Sequence, residues 1–137
     1  MIEALYNQRI KELAAAACGA GKLDAPSGAA MRDSPVCGDR VRMEVRVADG
    51  RIVALAHEVK GCLLCRAAAS VIGLHGVGLS AADSEALRAA VAAMLAGGER
   101  PDGWAELAVF EPVRQHRSRH GCVLIPFEAL AKAVAAG

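Results

Sequence analysis

Residues 40–59, RVRMEVRVADGRIVALAHEV, decide the fold. Val41, Met43, Val45 and Val47 alternate with Arg40, Arg42, Glu44 and Arg46, and a period of two puts the apolar set on one face of a half-buried strand. Asp49-Gly50 reads as a hairpin turn, because both residues tolerate the positive φ that tight loops need. Ile52 to Val59 is then the returning strand, with Val53, Leu55 and Val59 on its inner side. A hairpin brings its two ends together. Cys37-Gly38-Asp39, just before the first strand, is therefore expected beside Gly61-Cys62, just after the second.

Outward from the hairpin the pattern becomes helical. Ile2, Leu5, Tyr6, Ile10 and Leu13 mark an amphipathic N-terminal helix that ends before Gly19. Residues 19–35 read as loop, with at most a short edge strand around Gly28 to Met31. Leu64, Ala67, Ala68, Val71 and Ile72 form a stripe closing at Gly76, and Ser80 with Asp83 resembles a capping box opening a helix to about Ala96. Gly97-Gly98 ends that helix, and Arg100 to Gly103 opens an irregular excursion through Trp104, Leu107 and Phe110. A last helix spans Leu124 to Ala135, with Pro126 in its first turn. Strands segregated from helices indicate an α+β fold: a small antiparallel sheet, the hairpin plus an edge strand, packed on one side by several helices.

Composition narrows the function classes. The chain has 137 residues, 54% of them hydrophobic, enough for one domain (residues 1–137) with a real core. A net charge of +1 and 3% aromatic residues argue against a generally basic or base-stacking nucleic-acid binder. There is no apolar run of about 18 residues and no secretory n-region at Met1-Ile2-Glu3, so no membrane role and a cytoplasmic location are expected. Five cysteines then point to thiols, metal ligands or redox chemistry rather than to a disulfide framework.

Thiolates are the soft ligands that zinc and iron–sulfur clusters select, and a carboxylate can complete such a site. Cys37, Asp39, Cys62 and Cys122 are the candidate set. The hairpin joins the first three, and Cys122 stands at the start of the last helix, where the helix N-terminus favours a thiolate. Cys18, in an alanine run, reads as a small buried hydrophobe. Cys62-Leu63-Leu64-Cys65 is a C-x-x-C whose spacing fits a redox pair or half a zinc site, with Cys65 alternatively a packing residue. Arg114, His116, Arg117, Arg119 and His120 form a basic run before Cys122: a solvated loop, or a source of cations for Cys122 or an acidic partner. His120 is a metal ligand by identity only, and His57 and His75 read as structural.

At this point three stretches resemble a known family. They are PVCGDRVRMEVRV at Pro35 to Val47, KGC followed by RAAAS within Lys60 to Ser70, and R-x-x-C-V-L-x-P-F-x-A-L at Arg119 to Leu130, with LYNQ at Leu5 to Gln8 as a fourth. Together they are similar to the U-type iron–sulfur cluster assembly scaffolds (IscU, SufU and the N-terminal domain of NifU). The 97–113 segment and Arg119 resemble the SufU branch most. The resemblance implies a SufE/NifU-like sandwich and a scaffold or sulfur carrier, rather than a conventional enzyme, with sulfurtransferase the nearest enzymatic description. It further implies a transient 2Fe-2S cluster or Zn2+ held by Cys37, Asp39, Cys62 and Cys122, with Asp39 the labile oxygen ligand. Cys122 would be the persulfide acceptor, with Arg119 beside it. The implied partners are a cysteine desulfurase and downstream iron–sulfur acceptor or carrier proteins. The alternatives are a structural zinc-binding interaction module without transfer, and a thiol redox protein using Cys62 and Cys65.

Overall fold

The computed structural model describes residues 7–34 and 38–137. Its sheet is antiparallel, ordered β1-β2-β3, and consists of β1 (Gly28–Asp33), β2 (Arg40–Ala48) and β3 (Arg51–Lys60). Asp49 and Gly50 take φ of 54° and 76°, the positive values that let a two-residue turn follow the strand twist. From that turn the register runs Val45 to Leu55, Met43 to His57 and Val41 to Val59. The edge strand continues past Met31 to Asp33. One inward assignment is corrected: the register shifts at Arg46/Val47, and Val53 is 53% exposed while Ile52 is buried. A bulge adds one residue to one strand and so reverses the parity of side chains beyond it.

Among the described residues four α-helices accompany the sheet: α1 (Gln8–Ala16), α2 (Leu63–His75), α3 (Ala81–Leu95) and α4 (His120–Ala136). Helix α4 lies on β1 and β2, α2 lies on β3, α1 packs on α2, and α3 packs on α4. The core is where these meet: Val41, Met43 and Val45 against Leu64, Val71 and Ile72 of α2 and Phe127 and Leu130 of α4, all fully buried. Each such side chain contributes about 2 kcal/mol relative to exposure. On the opposite sheet face a loop is tied down, since Leu23 N–H donates to Glu44 Oε1 at 2.9 Å and Arg46 to the Asp24 carbonyl at 3.1 Å. Ile10 and Leu13 anchor α1, and Asn7 accepts from Ile10 N–H as its N-cap. Ile2, Leu5 and Tyr6 of the expected N-terminal helix lie outside the described residues.

Two further expectations are corrected after α3. The segment read as irregular is a 3-10 helix over Ala105–Gln115. Trp104, Leu107, Phe110 and Val113 are all buried, and their spacing of three is the 3-10 period, so the signal was present in the sequence. The last helix begins at His120 instead of Leu124, which puts Pro126 in the helix interior. Proline has no N–H to return to the carbonyl four residues back, so no intrahelical bond runs from residue 126 to Cys122.

The capping box is present: Ser80 Oγ accepts from Asp83 N–H, and Asp83 Oδ2 accepts from Ser80 N–H, both at 3.1 Å. Replacing Ser80 with alanine is expected to cost about 1 kcal/mol, seen as a melting midpoint lowered by roughly 4 °C. An unchanged midpoint in calorimetry would show that the cap contributes nothing.

Candidate metal centre

Arg40 pairs with Lys60 at the open end of the hairpin, so the residue before β2 and the residues after β3 are neighbours. Asp39 is 4% exposed. Its Oδ1 accepts from Cys62 N–H at 3.2 Å, and its Oδ2 faces the Cys62 thiol at 3.5 Å. A buried carboxylate needs such donors to offset its lost hydration. The loop carrying it is closed by Ser34 N–H to the Asp39 carbonyl (2.8 Å) and Gly38 N–H to the Ser34 carbonyl (2.9 Å). Gly38 adopts φ of 73° there, a conformation that glycine favours because it has no Cβ.

Cys62 is the N-cap of α2. Cys122 is the third residue of α4 and fully buried. One ligand atom from each of Asp39, Cys62 and Cys122 lies within 4.8 Å of the others. Two helix N-termini thus meet at one point, and their partial positive charges favour an anionic ligand set or cargo. Two thiols and one carboxylate at this separation suit a zinc ion or an iron–sulfur cluster. Cys37 lies outside the described residues.

The remaining sequence candidates fall elsewhere. Cys65 is fully buried in the core. His120 Nε2 is within hydrogen-bond distance of the Val113 and Arg114 carbonyls (3.0 and 3.2 Å), so the backbone, not the centre, holds its ring. Arg114 donates to the Met94 and Gly98 carbonyls at 2.8 and 2.7 Å, closing the end of α3. Part of the basic run is therefore structural, while Arg119 is half-buried in the Arg117–Arg119 turn that leads into α4. His75 bonds Glu106 at 2.8 Å and meets the Trp104 ring edge-on. Cys18 is half-buried, and its N–H donates to Ser70 Oγ at 3.1 Å.

His57 is buried in β3. Only 3% exposed, it holds the Cys18 carbonyl at 2.7 Å through Nε2, while its Nδ1 is buried with no hydrogen-bond partner. Burial pushes its pKa below the ordinary 6.5, against the smaller opposing effect of the Cys18 bond. Its contribution to stability is thus fully present above pH 6.5 and is lost as pH falls towards the depressed folded value. The melting midpoint is expected to drop below that pH, and His57→Gln, which cannot titrate, to flatten that part of the curve. Identical pH profiles for the two proteins would remove His57 from this account.

The fold and the centre define a class: a small α+β domain that gathers thiols and a carboxylate at the N-termini of two helices, as a binder of a soft metal or cluster does. Residues 5–122 match the NifU-like N terminal domain, and the chain belongs to that family. It is similar to the N-terminal part of a nitrogen-fixing NifU-like protein from Brucella abortus, at 36% identity over 98% of this chain and 95% of that one, TM-score 0.93. It shares its fold with a SufU protein of Fervidobacterium islandicum AW-1, named for iron–sulfur cluster assembly in the SUF system, at 20% identity over 96% and 98%, TM-score 0.87. No curated protein matches the chain by sequence. Among the described residues no helix is long and apolar enough to cross a membrane.

Proposed function

We propose that residues 1–137 act as one scaffold domain on which an iron–sulfur cluster is assembled as cargo and then released, with Cys37, Asp39, Cys62 and Cys122 as ligands. The observation that carries this reading is the convergence of Asp39, Cys62 and Cys122 within 4.8 Å in a chain of this family. An oxygen ligand holds iron less firmly than a thiolate does. Asp39 is weakened further because Oδ1 already accepts Cys62 N–H, leaving Oδ2 for the cargo. Release then begins at the carboxylate.

In this reading the sulfur comes from a cysteine desulfurase. A thiolate of the scaffold attacks the terminal sulfur of the donor's persulfide, forming the new S–S bond and freeing the donor's thiolate. Cys122 is the proposed acceptor, with Arg119 one helical turn away; its full burial requires the start of α4 to open, whereas Cys62 is half-exposed. The released cluster passes to acceptor or carrier proteins. The 97–113 segment and Arg119 support placement in the SufU branch, where Zn2+ would take the same ligands.

The test is reconstitution of oxygen-free protein with ferrous iron and sulfide, followed by visible absorption, metal and sulfide analysis, and transfer to an apo-ferredoxin. Cluster formation and transfer, together with stimulation of the desulfurase that fails in Cys122→Ser, are the expected results. Retained zinc with neither cluster nor stimulation would instead identify a structural zinc module.

A further inference from the structure

Resting on that ligand assignment, we infer that Gly61 is a positioning residue: its missing side chain is the space in which the Asp39 carboxylate sits. A Cβ at Gly61 would stand 2.8 Å from Asp39 Cγ, 3.0 Å from Oδ1 and 3.1 Å from Cβ. All are closer than ordinary contacts between such atoms. Asp39 has little room to yield by rotation, because Cβ itself is crowded and Oδ1 is held by Cys62 N–H at 3.2 Å.

The glycine is not there for its backbone. Gly61 is absent from the glycines with positive φ, so alanine could adopt its conformation. Gly38 is the converse, with φ of 73° and nothing within 4 Å of an added Cβ. The two glycines flanking Asp39 in space thus do different things: Gly38 turns the chain, and Gly61 lets the carboxylate lie flat against the backbone beside Cys62. Any side chain at residue 61 evicts the oxygen ligand and leaves both thiols in place.

The experiment has two arms. In metal-free protein, Gly61→Ala is expected to lower the melting midpoint by roughly 5 °C and to have no effect in an Asp39→Gly background, where the crowded atoms are gone. In protein loaded with cobalt(II), Gly61→Ala is expected to change the visible spectrum as Asp39→Ala does, through loss of the same oxygen ligand. Equal destabilisation in both backgrounds would overturn the inference. So would a wild-type spectrum for Gly61→Ala where Asp39→Ala differs. If Gly61→Ala does not fold alone, the double variant decides: folding supports the inference, and failure to fold overturns it. If Asp39→Ala and wild type give the same cobalt spectrum, the ligand assignment fails, while the thermal arm still tests the contact.

Discussion

Cys122→Ser is expected to leave a folded protein that loses its reconstituted cluster about a hundredfold faster than wild type or never forms it. Cys122 is the proposed ligand that α4 brings to the hairpin, fully buried and with its Sγ within 4.8 Å of ligand atoms of Asp39 and Cys62. Serine is nearly isosteric but is a poor ligand for iron at neutral pH, since its hydroxyl stays protonated. Hiding that hydroxyl costs about 1–3 kcal/mol without a partner, too little to unfold a typical domain of this size. The decay of visible absorption after adding a chelator, set beside a far-ultraviolet melt, separates ligand loss from unfolding. A cluster as persistent as the wild type's would remove Cys122 from the ligand set.

Asp39→Cys is expected to act in the opposite direction. With the proposed oxygen ligand replaced by a thiolate, cluster loss to chelator and transfer to an apo-ferredoxin should both slow by about tenfold, some 1.4 kcal/mol in barrier. The carboxylate is small, close to Cys62 and held by its N–H, so cysteine fits the same place. It forgoes the hydrogen bond that Oδ1 accepts, and a modest fall in the metal-free melting midpoint should accompany the slower release. Faster release from this variant would mean that Asp39 does not form the weak bond of the site. The midpoint and the release rate are independent readouts.

Much of this protein can be read from residue order because its decisive signals are local. The alternation of Val41, Met43 and Val45 with Arg40, Arg42 and Glu44 requires a strand with one buried face. Asp49-Gly50 requires a tight turn, and the two together place Asp39 beside Cys62. Elsewhere in the chain local rules compete. A bulge at Arg46/Val47 reversed the parity of Val53 and Ile52, and no composition signal marks it. Pro126, read into a first turn, suggested a late helix start, yet α4 reaches back to His120 and buries Cys122 and Val123. The 3-10 helix was legible in the threefold spacing of Trp104, Leu107, Phe110 and Val113.

By itself, then, the sequence determined the α+β class, the hairpin, and the nearness of Asp39 to Cys62, because strand period and turn geometry act over a few residues. Only the tertiary structure decided that Cys122 joins them and that His120 and Cys65 do not. It also showed that Gly61 is a matter of space and not of backbone freedom. Those outcomes depend on how α4 seats on β1 and β2 and on which side chains it buries, a packing between segments some sixty residues or more apart that no local pattern encodes.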